Sequence, residues 1–282
     1  MTTAAPDVLA WAADALRDEG LTVQRIDVVG AGTEAVVRRL SSVAEDGRAT
    51  AHVLKAFRRE RRHNTVDSVR SEFEALAAFA ATLDRSGSRV RCPRPLALAP
   101  DGFAYLMTYV DAPTLDDYLV CARSGSANVF GQLASAIVDG LVCFYDALGT
   151  CYADFQPRNI CVSASRIFML DPLIGNPAFL PKREHLRWWP ASADVGFWTE
   201  QVGAEAVRQC IQEPRLAVAR VSLTREVIRR AAEVFGIADP DGFRQEVVAV
   251  ADFHFRRFRR LLGSRWTIHY LAGRYIARRC AQ

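Results

Sequence analysis

The sequence predicts an α+β fold in two parts, with a strand-rich part over residues 1–110 and a mainly helical part over residues 111–282. Apolar, β-branched segments separated by glycine-containing turns lie between residues 21 and 57 and predict an antiparallel sheet. From residue 204 onward, the apolar residues recur at helical spacing. A chain of 282 residues is long enough for one large domain or for two lobes that share a cleft.

Composition and charge narrow the class of protein. Apolar residues make up 50% and charged residues 24% of the chain, which is typical of a globular protein. A formal net charge of +4 is too small to indicate nucleic-acid binding and supports only a mild attraction to anionic ligands. The arginine-rich C-terminal stretch makes contact with nucleic acid conceivable, but amphipathic helices with solvated arginine faces explain it better.

The cysteines and the apolar runs predict a cytoplasmic location. The seven cysteines show no CxxC pair and no Cys/His cluster, which argues against a disulfide framework and against a zinc site. Residues 1–19 lack the basic start of a signal peptide. No apolar run approaches the roughly 18–20 residues of a membrane span. We therefore expect a protein with reduced thiols and no membrane span.

A glycine-containing turn follows the first predicted elements, which are a helix over residues 7–19 and a strand over 21–29. Gly30 and Gly32 lie in this turn, and a second strand is predicted over 36–40. Two glycines allow a tight turn whose amides can approach phosphate groups closely. An ordinary hairpin turn would contain the same residues, so both interpretations stay open on this motif alone.

Lys55 lies inside the apolar strand predicted over residues 49–57. A buried lysine needs a charged partner, whereas a lysine on the solvated face of an edge strand needs none. The helix predicted over residues 66–83 offers two candidate partners, Glu72 and Glu74. They lie about 160–200° apart around the helix, so only one of them can face the lysine.

The next segments lead into the second part of the chain. Residues 90–100 predict one extended, proline-punctuated strand, and residues 103–110 predict another. Thr114 then caps a short helix. Residues 129–148 predict a long core helix that places four apolar side chains on one face, namely Leu133, Ile137, Leu141 and Phe144.

The segment 151–171 carries the candidate chemistry. Asp154 and Asn159 stand five residues apart in a turn-rich stretch, and a hairpin over 160–170 ends on Asp171. Oxygen ligands of this kind suit a hard cation, so two of the three side chains could hold one. The remaining carboxylate could accept a proton from an attacking hydroxyl.

Taken together, the order of these segments resembles the protein-kinase-like superfamily over roughly residues 21–175. The matching parts are a Gly-rich hairpin, a strand Lys, a helix Glu, a hinge strand, a long helix, Asp-x-x-x-x-Asn and a final Asp. Within this superfamily, the chain resembles small bacterial phosphotransferases of the aminoglycoside-phosphotransferase type more than it resembles eukaryotic-type protein kinases. Residues 174–181 also resemble the bacterial PhoP-regulatory-network kinase-like family. The resemblance implies a bilobal fold with a small antiparallel-sheet N-lobe and a mainly helical C-lobe.

The resemblance also implies a role for each candidate residue. Glu72 is favoured over Glu74 as the partner of Lys55, because the apolar positions that follow it match the family's spacing. Asp154 would be the catalytic base, and Asn159 and Asp171 would bind Mg²⁺. The residues implied to contact ATP are Gly30, Gly32, Lys55 and the backbone of Met107, Tyr109 and Val110.

The implied reaction is transfer of the γ-phosphoryl group of ATP to a hydroxyl of a small molecule. A protein or lipid-sugar acceptor, or a nucleotide-binding pseudokinase, is the alternative. Three departures from the family pattern bear on this choice: Tyr152-Ala153 precedes Asp154, Gln156 replaces a basic residue, and Asp171-Pro172-Leu173 replaces Asp-Phe-Gly. A neutral Gln156 removes a positive charge near the transferred group and is expected to slow transfer.

Overall fold

The computed structural model describes residues 6–32, 34–61, 64–121, 127–163, 166–172, 181–262 and 267–281. In chain order, its helices and strands are α1 (Pro6–Asp18), β1 (Leu21–Ala31), β2 (Ala35–Ala44), β3 (Ala49–Phe57), α2 (Val66–Ser86), β4 (Val90–Arg91), β5 (Pro95–Leu98), β6 (Ala104–Thr108), α3 (Leu115–Cys121), α4 (Ala127–Leu148), β7 (Ile160–Val162), β8 (Ile167–Met169), α5 (Ala191–Gln212), α6 (Pro214–Val234), α7 (Pro240–Leu262) and α8 (Thr267–Ala281). The predicted α+β class is confirmed.

The chain divides into two compact units, which is consistent with the expected two-part arrangement. The first unit contains residues 1–80 and 92–111, and the second contains residues 81–91 and 112–282. The second unit therefore includes the last turn of α2 and β4, although both precede part of the first unit in the sequence.

The first unit is built on a five-stranded antiparallel sheet with strand order β1-β2-β3-β6-β5. The β1–β2 hairpin pairs Leu21 with Ala44 and Gly30 with Val37. Helix α1 covers one face of the sheet, where Leu16 packs with Leu40 and Leu54 in a buried apolar cluster. The alternation of apolar and polar residues along the strands supplies this buried face.

The single strand predicted over residues 90–100 is wrong, because the chain divides there between two sheets. β4 pairs in parallel with β8 in a second sheet, whereas β5 pairs antiparallel with β6 in the first. Pro93 lies between them and has no N–H to donate, so a continuous ladder cannot form through it. After this break, the Arg94 carbonyl accepts a hydrogen bond from the Thr108 amide at 2.9 Å.

The second unit combines a small sheet of strand order β4-β8-β7 with helices α3 to α8. Helix α4 packs on this sheet, and its predicted apolar face of Leu133, Ile137, Leu141 and Phe144 is buried. Helix α5 packs against α6, α7 and α8. It begins at Ala191, earlier than the helical region predicted from residue 204.

Two glycines explain why the start of α5 was not predicted. Gly196 and Gly203 each disfavour a helix by about 1 kcal/mol relative to alanine. In the structure, a Cβ on Gly196 would lie 2.4 Å from Val250 Cβ, and one on Gly203 would lie 2.7 Å from the Gly273 carbonyl oxygen. The glycines therefore allow α7 and α8 to approach α5 closely, and this packing outweighs their low propensity.

Within the described ranges, one helical segment, Val129–Leu148, is long and apolar enough by length and composition to cross a membrane. Its most apolar window is 44% buried inside the protein, and its apolar face belongs to the core of the second unit. This segment is weak evidence for a membrane span, and we interpret it as a core helix.

Candidate functional site

Lys55 and Glu72 form a buried ion pair in the first unit. Lys55 Nζ lies 2.8 Å from Glu72 Oε1, and each side chain is only 10% exposed. The hydroxyl of Tyr105 donates a second hydrogen bond to the same Glu72 oxygen at 2.6 Å. Glu74 is exposed. The structure therefore pairs Lys55 with Glu72, the partner that the resemblance favoured.

The position of this pair follows from the sheet and from the phase of α2. Lys55 lies opposite Tyr105 in the β3–β6 register, so both side chains lie on the same face of the sheet. Val69, Leu76 and Phe79 are buried on the same side of α2 as Glu72. The apolar face of the helix thus brings the carboxylate to the lysine, and the ion pair compensates for burying both charges.

Gly30 and Gly32 lie at the end of the β1–β2 hairpin. Gly30 lies in β1 opposite Val37, and the Gly32 amide donates to the Ala35 carbonyl at 3.0 Å. A Cβ added at either position would meet its nearest neighbour at 3.7 Å, an ordinary van der Waals distance. The hairpin itself therefore does not require glycine at these two positions.

The predicted adenine-contacting residues lie at and beyond the end of β6, which stops at Thr108. Met107 lies in the strand opposite Val53, whereas Tyr109 and Val110 follow it. The Tyr109 amide donates to the Ala51 carbonyl at 3.2 Å, and its ring lies 4.4 Å from the Arg39 guanidinium carbon. The Tyr109 amide is therefore engaged within the first unit.

In the second unit, Asp154 is surrounded by side-chain donors from its own loop. Asn159 Nδ2 donates to Asp154 Oδ2 at 2.7 Å and to the Asp154 carbonyl at 3.0 Å. Gln156 Nε2 donates to the other carboxylate oxygen, Oδ1, at 2.5 Å. The structure thus brings Asp154 and Asn159 together as predicted, and it gives Gln156 a direct contact with the candidate base.

Asp194 holds the backbone of this loop in place and was not predicted from the sequence. It lies in the first turn of α5, and its fully buried carboxylate accepts hydrogen bonds from the amides of Tyr152 at 2.7 Å and Ala153 at 2.8 Å. The Tyr145 hydroxyl donates a third bond at 2.9 Å. A signal was present in the sequence, because Asp194 is a lone acid in the otherwise uncharged run Ala191–Trp198.

Two residues that flank the candidate chemistry adopt left-handed backbone conformations. Ala153 has a φ of 67° and Asp171 a φ of 56°. Such conformations cost a non-glycine residue about 1–3 kcal/mol and persist only when the surroundings hold them. The bond from the Ala153 amide to Asp194 is one such restraint, and it fixes the direction in which the chain enters Asp154.

Tyr152 connects the loop to the strand that leads to Asp171. Its hydroxyl donates to the Leu170 carbonyl at 2.5 Å, and the Leu170 amide donates to the Asn159 carbonyl at 2.7 Å. The Tyr152 ring is buried and packs 4.8 Å from the Phe144 ring centre. Tyr152 therefore ties the Asp154 loop to the end of β8 and to the core helix α4.

Burial and the nearby Asp171 carboxylate raise the pKa of Asp154, in that order of size, whereas the bonds from Asn159 and Gln156 lower it. Burial also raises the pKa of Asp194 to about 6, against the effect of its three hydrogen bonds. A carboxylate whose pKa lies above its ordinary value is a better proton acceptor near neutral pH.

Asn159 and Asp171 provide oxygen atoms suited to Mg²⁺. Both bonding partners of Asn159 Nδ2 are acceptors, so the amide nitrogen must face them and the amide oxygen is turned away. Asp171 contributes a carboxylate that is electrostatically coupled to Asp154. Mg²⁺ retains several waters and is usually held by only one or two protein oxygens. No group of three or more His, Cys, Asp or Glu residues suited to a metal occurs in the described part of the chain.

Comparison with known proteins adds no further constraint: no family model matches this chain, and no curated protein is significantly similar to it. Residues 174–180, which suggested the narrower family resemblance, lie outside the described residues.

Proposed function

We propose that this protein is an ATP-dependent phosphotransferase that moves the γ-phosphoryl group of ATP to a hydroxyl of a small molecule. The observation that carries the proposal is the half-buried Asp154 carboxylate, which accepts a hydrogen bond from Asn159, lies near the Asp171 carboxylate and is presented by a loop held by Asp194. Catalysis of phosphoryl transfer requires mainly positioning and neutralisation of charge, and these groups can supply both.

The architecture of the first unit supports a kinase-like, bilobal fold. Its strand order β1-β2-β3-β6-β5 is antiparallel throughout, and α2 follows the strand that carries Lys55. Glu72 restrains the Lys55 ammonium group, and this restraint is what a lysine needs in order to contact phosphate oxygens in a defined position.

In the proposed reaction, Lys55 binds phosphate oxygens of ATP and Asp154 orients the acceptor hydroxyl. A bond forms between the hydroxyl oxygen and the γ-phosphorus as the bond from that phosphorus to the β–γ bridging oxygen breaks. ADP leaves with the bridging oxygen, and Asp154 takes the hydroxyl proton. Mg²⁺ held by Asn159 and Asp171 would neutralise negative charge on the phosphates.

One observation favours a nucleotide-binding pseudokinase as the second candidate. Both carboxylate oxygens of Asp154 accept hydrogen bonds from side chains of the same loop, Gln156 and Asn159. These bonds stabilise the ionised form of Asp154 and occupy positions that an acceptor hydroxyl could use. Turnover of ATP with any hydroxyl compound would exclude this candidate.

The test of the proposal is thermal stabilisation by ATP, with and without Mg²⁺. A ligand at 100 times its Kd stabilises the folded state by about 2.7 kcal/mol. We expect Mg²⁺-dependent stabilisation of the wild type that is absent in Asp171→Asn and retained in Asp139→Asn, an exposed control on α4. The absence of any ATP-dependent shift in the wild type would refute nucleotide binding.

A second variant separates the two candidates. Asp154→Asn should retain ATP·Mg²⁺ stabilisation but lose transfer to the acceptor by about 10²–10⁴-fold, because it removes the proton acceptor. If the wild type binds ATP·Mg²⁺ but transfers no phosphoryl group to any member of a hydroxyl-compound panel, the pseudokinase is the better description.

A further inference from the structure

A cavity of about 400 Å³ that is open to the surface lies in the second unit, just before α5. It is lined by two arginines, one glutamate and two apolar side chains, namely Arg183, Arg187, Glu184, Leu186 and Trp189.

The cavity wall packs directly against the Asp154 loop. Leu186 and Trp189 pack on the buried cluster of Cys151, Ala153 and Ala193. Ala153 immediately precedes Asp154, so the same side chains that line the cavity also support the candidate base. A compound bound in this cavity would therefore contact two side chains, Leu186 and Trp189, that support the loop presenting Asp154.

The segment that forms the cavity is anchored to α7. The Glu246 carboxylate accepts hydrogen bonds from the Arg187 amide at 2.8 Å and from the Trp188 amide at 3.1 Å. The Trp188 ring also packs edge-on against Phe243, with 5.9 Å between ring centres. These contacts fix the backbone from which the arginine side chains extend.

The charge at the cavity favours an anion. Arg183 forms no ion pair with any residue that the structure describes, and Arg187 approaches Asp239 only to 3.8 Å across exposed side chains. Exposed pairs at such distances contribute little and exchange readily with a ligand. Glu184 is the single carboxylate that lines the cavity. Its Oε1 atom lies 3.9 Å from the Nζ atom of Lys182, a residue that does not line the cavity. Guanidinium groups bind phosphate and carboxylate groups through two parallel hydrogen bonds.

We propose that this cavity binds the phosphoryl acceptor, and that the acceptor is a hydroxyl compound carrying a phosphate or carboxylate group. Arg183 and Arg187 bind the anionic group, and Trp189 and Leu186 supply an apolar surface for the ring or chain that bears the hydroxyl. This assignment rests on the proposed phosphotransferase function. It excludes polycationic sugars as acceptors, since two guanidinium groups repel them.

The first test measures binding of glucose 6-phosphate by calorimetry at low salt without nucleotide, with glucose and the cationic sugar kanamycin as comparisons. We expect glucose 6-phosphate to bind more tightly than either comparison compound. The double variant Arg183→Gln/Arg187→Gln should weaken this binding at least 10-fold. Arg215→Gln, an exposed arginine at the start of α6, removes one charge and should leave binding unchanged. The Arg183 side chain forms no hydrogen bond or ion pair with any residue in the described ranges, so Arg183→Gln alone should fold normally. This single variant replaces the double variant in the binding measurement if the double variant folds poorly.

If the wild type and the arginine variants bind glucose 6-phosphate equally well, the proposal that the anion binds in this cavity is wrong. Tighter binding of kanamycin than of glucose 6-phosphate, or no binding of the phosphate ester, would overturn the proposed class of acceptor. Parallel ATP·Mg²⁺ stabilisation separates this inference from the proposed function. Stabilisation without anion binding would refute the acceptor assignment alone, whereas anion binding without stabilisation would refute the phosphotransferase and the acceptor role together.

Discussion

Replacing Asp194 by asparagine should disturb the Asp154 loop far more than it disturbs global stability. If the amide oxygen takes the place of Oδ2, it keeps the bonds from the Tyr152 amide and the Tyr145 hydroxyl. The new NH₂ group then faces the Ala153 amide, so one donor opposes another. Both buried donors then lack an acceptor, which costs about 1–3 kcal/mol for each and about 3–5 kcal/mol together.

A second term offsets most of that cost. Burial raises the pKa of Asp194 from 3.8 to about 6, so the buried charge disfavours the folded state by about 3 kcal/mol at neutral pH. Asparagine removes this charge. The expected net loss of stability is therefore only about 0–2 kcal/mol, whereas Ala153 loses a restraint on its left-handed conformation.

Two measurements check this reasoning. Hydrogen exchange should be faster at the Ala153 amide, with protection retained at the Tyr152 amide and in the helical core. Phosphoryl transfer should fall by about 10²-fold, because a misplacement of about 1 Å at the reacting groups has that effect. Asp139→Asn is the control for an exposed aspartate. A loss of more than about 4 kcal/mol of stability with unchanged exchange at the Ala153 amide would contradict this expectation.

Two further predictions concern buried charges. Glu72→Gln removes the carboxylate charge that faces the buried Lys55 ammonium group at 2.8 Å, and it should reduce the free energy of unfolding by about 3–5 kcal/mol, as measured by urea denaturation. Glu74→Gln, on the exposed face of the same helix, should change it by less than about 0.5 kcal/mol. Burial raises the pKa of Glu200 to about 8, so the folded state binds a proton as the pH falls through 8 and the unfolded state does not. Stability should therefore rise by about 2 kcal/mol between pH 8 and pH 6.5, and Glu200→Gln should abolish this rise. Between pH 6.5 and pH 6 the rise should weaken, because burial lowers the pKa of His254 to about 4 and only the unfolded state binds a proton at this histidine there. Below pH 6, protonation of Asp194, whose pKa burial raises to about 6, should add to the rise.

Local patterns were sufficient to predict most of the fold. The bounds of β3 are those expected from the sequence, because a short apolar run between turn residues leaves little freedom in where the strand begins and ends. The sequence also indicated that only one of Glu72 and Glu74 can face Lys55, because the two side chains point to opposite sides of α2. The split between β4 and β5 could have been predicted from Pro93, whose missing amide proton interrupts a ladder.

The supports of the Asp154 loop depend on contacts that no local pattern contains. The Ala153 amide donates a hydrogen bond to Asp194, which lies 41 residues later in the chain. The sequence does not specify how α5, which carries Asp194, packs against the Asp154 loop. The cavity at residues 183–189 likewise depends on how Leu186 and Trp189 pack against Ala153. Candidate residues for the chemistry could thus be predicted from spacing, whereas the residues that position them required the tertiary structure.

Each of the two units is made from two separate segments of the chain, and this limits which fragments can be expressed on their own. A fragment that starts at residue 112 would contain β7 and β8 but lack β4, the parallel neighbour of β8. It would then expose an unpaired strand edge next to the apolar face of α4, and such edges promote aggregation. Separate expression of the helical part is therefore better attempted with residues 81–91 joined ahead of residue 112 by a flexible linker, which restores the missing strand.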